Sequence, residues 1–380
     1  MGSLTAAPGV DVPRTAGAAA AGPAPRHGRP TDSLFRLCRV AACAAACACA
    51  HAAELSRSGA VLLGIPHQYD NDWAIVDLDT GATRLLPFSA TTTHGSGWDY
   101  WYAARSAREL MRINSKGEVE FFDQATLRRK AGFSMNGLPG THAPEFFGAA
   151  RVSPDGRYVL GYWKANTRQD EPEIVVFDRQ GHIVQNGSPF RYDTMRNRYA
   201  TDWLPDSRHY VYLADDKIVI REVGSDKVLH APLRLPPRLG TSMASVAVSP
   251  DGKRLAMTLA ANMNNGKGDV TPFNLLFVSQ LDGTRLHELS RPSDRVLGQG
   301  NSMGHDSPSW SPDGRWLIFT QRDAVPYGAL TSVSPCTKVM VLPADDTQRA
   351  IDGEHDSPDI VLHAGKAPVV SCHSVQWLAP

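Results

Sequence analysis

Apolar positions along most of this chain alternate with polar ones in short runs, the two-residue period of half-buried β-strands. No 3.6-residue helical period separates the runs, and each stops at a turn signal. Three segments share one phrase: Val152-Ser153-Pro154-Asp155-Gly156-Arg157, Val248-Ser249-Pro250-Asp251-Gly252-Lys253 and Trp310-Ser311-Pro312-Asp313-Gly314-Arg315. Trp203-Leu204-Pro205-Asp206-Ser207-Arg208 is a degraded fourth copy. Proline presets one dihedral and glycine accepts positive φ, so each phrase predicts a tight reversal between two antiparallel strands, a and b.

A third strand, c, recurs with its own turn, as in Ile174-Val175-Val176-Phe177-Asp178 before Gly181 and Leu275-Leu276-Phe277-Val278 before Asp282-Gly283. A short fourth strand, d, follows, such as Thr83-Arg84-Leu85-Leu86. Four short strands in meander order, written six times, predict an all-β chain: a six-bladed β-propeller of four-stranded antiparallel blades. The first unit, beginning near Val61, has no strand a before it. The chain ends on Cys372-His373-Ser374-Val375-Gln376-Trp377-Leu378, which reads like the strand a ending at Trp310. The C-terminal strand is therefore expected to complete blade one and close the ring, which also removes open sheet edges.

The Ser-Pro-Asp-Gly-[Arg/Lys] phrase, after Trp or Val and before an apolar strand, resembles the TolB-like (WD40-like, PD40 repeat) six-bladed β-propeller family, over essentially all of 60–380. The resemblance implies the fold. It does not carry TolB's partner over, because propellers host many unrelated activities.

The first 53 residues read as an address. Residues 1–33 are rich in Ala, Gly, Pro, Thr and Arg without period. Basic residues around Arg36 and Arg39, a weakly apolar run from Val40 to Ala50 and an exit near Ala52 or Ala53 have the three parts of a secretory signal. The expected organisation is a low-complexity leader and signal peptide over 1–53 and the propeller over 54–380, in a periplasmic or secreted protein. Val40-Ala41-Ala42-Cys43 faintly resembles a lipobox, but Arg39 leaves almost no apolar run ahead of Cys43. No stretch approaches eighteen apolar residues, so no transmembrane segment is expected in the mature chain.

Charge narrows the partners. The chain holds 39 basic and 39 acidic residues. The leader holds five of those arginines and two of the aspartates, so the remainder carries −3. That excludes a nucleic-acid partner bound through phosphate neutralisation. Outside the leader stand two cysteines, Cys336 and Cys372, and an even count in an exported chain predicts one disulfide. The bridge would tie the last insertion of blade six to the closing strand, constraining about 35 residues and worth about 3 kcal/mol.

Topology says where a site would lie. In a meander, a–b and c–d turns share one rim, and b–c and d–a loops share the other. The irregular insertions, 164–172, 260–272 and 321–336, all fall on the second rim, where loops on a rigid scaffold usually bind. The d–a connections there carry His94, His142, Arg198, His305, Asp306 and His373, expected to face the central channel as a ligand-binding set. Three such histidines could hold a divalent metal, which resembles, loosely, propeller-type oligogalacturonate lyases, but no spacing signature supports it; no metal or cofactor is expected. The Trp98–Tyr102 aromatic run could stack on a sugar or peptide, or pack between blades. Asp79-Thr80-Gly81, His94-Gly95-Ser96-Gly97 and Gly240-Thr241-Ser242 mimic subtilisin-type boxes, but Asp79 and His94 belong to opposite rims, about 15 Å apart.

The leading expectation is a monomeric, exported, non-enzymatic propeller binding a protein, peptide or small ligand on the b–c/d–a face. The rival is a periplasmic carbohydrate-active enzyme, oligogalacturonate-lyase-like, that uses channel histidines with or without a divalent metal.

Overall fold

The repeated phrase folds the same way each time in the computed structural model, which describes residues 59–67, 70–86, 100–114, 117–135, 150–163, 173–189, 201–214, 217–264, 270–292, 301–326, 336, 338–345, 347–351 and 375–380. Ser153 N donates to Tyr158 O at 2.9 Å, and Gly156 N donates to Ser153 O at 2.9 Å. The buried Ser153 hydroxyl donates to Asp155 Oδ1 at 2.8 Å and accepts from Tyr158 N at 2.9 Å. Ser249 with Asp251 and Arg254, and Ser311 with Asp313 and Trp316, repeat both bonds. The glycines take φ of 74°, 70° and 69°, the left-handed conformation their missing Cβ permits. In the degraded copy Ser207 adopts φ of 58°, and its hydroxyl accepts from Asp155 N of the neighbouring repeat at 3.1 Å. The serine thus does what glycine could not: it bonds the preceding blade's turn.

The turns deliver strands in meander order. Blade one holds β1 (Ala60–His67), β2 (Asp70–Asp77) and β3 (Thr83–Leu85). Blade two holds β4 (Tyr100–Ala104), β5 (Glu109–Ile113), β6 (Glu118–Asp123) and β7 (Arg129–Ser134). Blade three holds β8 (Arg151–Val152), β9 (Tyr158–Trp163), β10 (Glu173–Asp178) and β11 (Ile183–Pro189). Blade four holds β12 (Thr201–Trp203), β13 (His209–Ala214), β14 (Lys217–Glu222) and β15 (Val228–Pro232). The fifth repeat runs through β16 (Leu239–Val248), β17 (Arg254–Asn264), β18 (Val270–Gln280), β19 (His287–Glu288) and β20 (Ser290–Pro292). The sixth runs through β21 (Asn301–Trp310), β22 (Trp316–Pro326), β23 (Lys338–Pro343) and β24 (Arg349–Ile351), and β25 (Val375–Trp377) follows.

The described residues fall in one unit, Arg57–Pro380, and hold no helix. The fold is an all-β propeller arrangement of antiparallel four-stranded sheets. Blade one is ordered β25-β1-β2-β3, with Val61 opposite Trp377 and Leu63 opposite Val375, so the C-terminal strand does complete the first sheet. Blades two, three and four stand as separate four-stranded sheets. The fifth and sixth repeats depart from the expected separation. They share a seven-stranded sheet, because β18 meets β21 in parallel at Asn274 and Gly304. The fifth repeat's last strand, β20, leaves its own meander to pair in parallel with β24.

A second departure concerns the insertions. Within 260–272, expected to be an irregular insertion, the described residues 260–264 and 270–272 continue β17 and β18, paired from Ala260↔Asn274 out to Asn264↔Val270. β22 likewise runs past Gln321 to Pro326. Polar side chains such as Asn262 do not prevent strand pairing there, since the backbone groups satisfy one another.

Apolar side chains from neighbouring repeats pack into shared cores. One joins the sixth and first repeats through Val61, Leu63, Trp316, Ile318, Val339, Val341, Val375 and Trp377. Polar straps supplement them, each reaching from one blade to the next blade's c–d turn. Arg84 donates to Gln124 O at 2.8 Å and Ala125 O at 2.7 Å, and Gln185 Nε2 donates to Ser225 O at 2.9 Å. Between blades two and three, Arg179 makes a two-point bridge to Glu109 at 2.6 and 3.1 Å while lying 4.4 Å from the Phe121 ring centre.

Burial pushes the Glu109 carboxyl up, but hydrogen bonds from Arg179 and Lys130 outweigh it and leave the group below the usual carboxylate range. The turn carboxylates are lowered too. Backbone and side-chain bonds from Thr126 bring Asp123 to about 2, and Asp77 and Asp282 are depressed by bonds from Thr80 and Thr284. Folded values below the unfolded ones mean these groups contribute stability that is complete above about pH 5 and is lost as pH falls through the folded values. The midpoint of urea unfolding is therefore expected to drop steadily between about pH 5 and 2. Glu109→Gln, which leaves Arg179 facing a neutral amide, is expected to cost about 2–4 kcal/mol at pH 7 and to flatten that dependence.

Candidate functional site

The innermost strands set the geometry of the axle. In order around it, β4, β8, β12, β16, β21 and β25 neighbour one another. The residues at the channel end of these strands are tied to the next strand's backbone. Asp202 accepts from Val248 N at 2.7 Å, and Ser309 accepts from Trp377 N at 2.9 Å. Gln376 accepts from Ala103 N at 2.9 Å and donates to Trp101 O at 3.1 Å. Trp203 and Trp310 add ring bonds, donating from Nε1 to Arg151 O at 3.0 Å and Ala247 O at 2.9 Å. Across these described contacts the polar groups of the axle serve the ring itself.

The b–c/d–a rim is uneven. β13 and β5 hold six and five residues, whereas β17 and β22 hold eleven and β16 and β21 ten. β17, like β13, starts straight after its Pro-Asp turn, so the excess of about five residues extends the far end by roughly 15 Å. The fifth and sixth repeats therefore raise a wall on the face expected to bind. On its outer side Asn262 is exposed, between buried Ala261 and Met263.

Of the predicted ligand set, His305 and Asp306 are described, and both differ from the expected loop placement. They lie within β21, His305 opposite Gln321 and Asp306 opposite Thr320, and are 0% and 5% exposed. The reason is that β21 starts at Asn301, four residues before the histidine, and the paired β22 covers it. His305 Nδ1 lies 2.9 Å from Ser290 Oγ, and its ring packs on Phe319 at 4.8 Å between centres. Burial lowers the imidazole to about 3, offset slightly by the Gln321 amide, so the ring is neutral in the fold. Gln321 stays outside bonding geometry all the same: His305 Nε2 and both Gln321 amide atoms are buried without a hydrogen-bond partner. Asn274 Nδ2 donates to His305 O at 2.7 Å and lies 3.5 Å from Asp306 Oδ1.

His94, His142, Arg198, His373 and Cys372 lie outside the described residues. Cys336 is fully buried in the core shared by the sixth and first repeats. The aromatic run resolves toward packing: Trp101 and Tyr102 are buried in β4, and Trp101 lies 5.0 Å from Phe122 between ring centres. Among the described residues no three His, Cys, Asp or Glu side chains come together as a metal site.

Sequence reasoning missed Ser290, Gln321 and Asn274, the polar neighbours of His305. They come from three strands far apart in sequence, and the single available signal was an amide inside otherwise apolar strands.

No family model and no curated protein matches this sequence. Solved structures do. The chain is similar to TolB from Acinetobacter baumannii at 15% identity and a TM-score of 0.48, covering 85% of this chain and 67% of that one. It is similar to a protein assigned as TolB from Agrobacterium tumefaciens at 13% identity and a TM-score of 0.43, over 75% of this chain and 84% of that one. The β-propeller domain of Myceliophteria thermophila Cps50 (Swd1) matches at 11% identity and a TM-score of 0.41, over 79% and 89%.

Proposed function

We propose that this chain is an exported, non-enzymatic propeller that binds a protein or peptide partner, or a small ligand, on its b–c/d–a face. The observation that carries the reading is the wall on that rim, built by the long strands β16–β18, β21 and β22. Strand extension of this kind costs ordering entropy and does nothing for ring closure, which the a–b ends and β25 already supply. A second support is that the aspartates held below the usual carboxylate range brace turns, and that His305 is buried and neutral.

The experiment compares two charge variants on opposite rims. Asn262→Arg alters the exposed outer side of the wall, and Lys253→Glu alters an a–b turn. Crosslinking in an envelope fraction is expected to lose its specific adduct in Asn262→Arg and keep it in Lys253→Glu. Equal adducts in both variants would move the binding face off this rim.

Export rests on the leader over 1–53, and the Cys336–Cys372 bridge belongs to the same proposal. What supports the bridge is the burial of Cys336 in the core that also holds Val375 and Trp377 of the closing strand. Intact mass before and after reduction reads both the signal cleavage and the bond.

A further inference from the structure

Where the fifth and sixth repeats fuse, polar side chains gather inside the protein instead of at its surface. His305 and Gln321 are both 0% exposed, and Ser290, Thr320, Ser245 and Thr258 are buried around them. Several are satisfied. Ser290 Oγ accepts from Leu276 N at 3.0 Å and meets His305 Nδ1, and Ser245 bonds Thr258 at 2.8 Å between hydroxyls. Four atoms are left over: His305 Nε2, Gln321 Oε1 and Nε2, and Asn274 Oδ1. They come from β18 and β21, which meet in parallel at Asn274–Gly304, and from β22, which pairs with β21.

Native interiors seldom leave such atoms bare, and when they do an internal guest or a functional demand accounts for it.

We propose that this seam binds a small neutral hydroxyl guest, either a resident water or the hydroxyl of a ligand. The chemistry selects it. The leftover set offers an acceptor on Asn274, a donor and an acceptor on Gln321, and one imidazole nitrogen, which a hydroxyl can both donate to and accept from. No charged group belongs to the set. Asp306, the carboxylate beside it, disfavours an anion. A cation finds no cluster of three carboxylate, imidazole or thiol ligands among the described residues. The inference stands apart from the proposed binding face, since it needs neither the wall nor a partner.

Oxygen-17 water relaxation dispersion of the full chain, beside Gln321→Leu, tests it together with ¹⁵N signals of the His305 ring during a glycerol titration. If water is the guest, the contribution of at least one long-lived water disappears in the variant. If a ligand hydroxyl is the guest, the water contribution is the same in both proteins, but glycerol shifts the His305 ring saturably in the wild type. Unchanged water relaxation together with a ring indifferent to glycerol overturns the proposal and leaves a direct His305–Gln321 contact as the explanation. Should Gln321→Leu fail to fold, Gln321→Met keeps the length and removes the same polar atoms.

Discussion

Trp377→Ala is expected to cost about 3–5 kcal/mol and to lower the melting temperature by about 10 °C. The indole is 1% exposed and sits in the core that joins the sixth repeat to the first, against Val61, Leu63, Trp316 and Val341. Removing it leaves a cavity at the one place where the ring is closed by strands from opposite ends of the chain. Among the described residues three pairs join β25 to β1, and the buried side chains around Trp377 add to the closure. Leu378 N donates to Ala60 O and Gln124 Nε2 donates to Ala379 O, which fixes the tail on both blades it touches. Trp203→Ala is the fitting comparison. It removes an equally buried indole at the same repeat position, but between blades joined by continuous chain. Both variants should lose similar equilibrium stability, while limited proteolysis at the β1 edge should accelerate in Trp377→Ala alone. A cost below about 1 kcal/mol would mean that the ring does not depend on this strand.

That closure was legible because its signals are local and repeated. The residues before Trp310 and before Trp377 follow one pattern, and a missing strand a in the first unit left a place for the last. The Ser-Pro-Asp-Gly turns were legible for the same reason, since serine, aspartate and glycine within four residues determine every bond described for Ser153. The fused sheet was not. Its parallel contacts, Asn274 with Gly304 and β20 with β24, join residues with no shared local pattern.

The candidate site was legible as a rim and not as a set of contacts. A His-Asp-Ser sequence at 305–307 looks like a polar loop, yet its burial is decided by Ser290, Phe319 and Gln321, which only the tertiary fold brings near. The raised hairpin was misread through composition: Asn262 and Asn264 suggest a loop, although a pair of strands needs only its backbone to hold register there. Polarity marks what a side chain can tolerate, and pairing geometry decides what the backbone does.

Gly283→Ala is expected to destabilise the protein by about 3–5 kcal/mol, from two causes that a control can separate. Gly283 takes φ of 79° in the c–d turn of the fifth repeat, where its N donates to Gln280 O at 3.0 Å. A Cβ there would stand 2.2 Å from Pro232 O and 3.0 Å from Pro232 C. The obstacle is backbone at the end of β15, followed directly by Leu233, which is 1% exposed, so it cannot swing away as a side chain could. Relief requires the fourth and fifth repeats to part along the core they share through Leu233, Val248 and Leu255. Gly224 occupies the equivalent turn of blade four with φ of 71° and nothing within 4 Å of its built Cβ. Gly224→Ala should therefore cost only the conformational part, about 1–2 kcal/mol. Urea unfolding of the two variants measures the difference, and that difference is the resistance of one blade to being pushed from its neighbour. Equal losses would mean that the c–d turn of the fifth repeat yields without moving the blade, and that the straps between outer strands and turns are looser than their distances indicate.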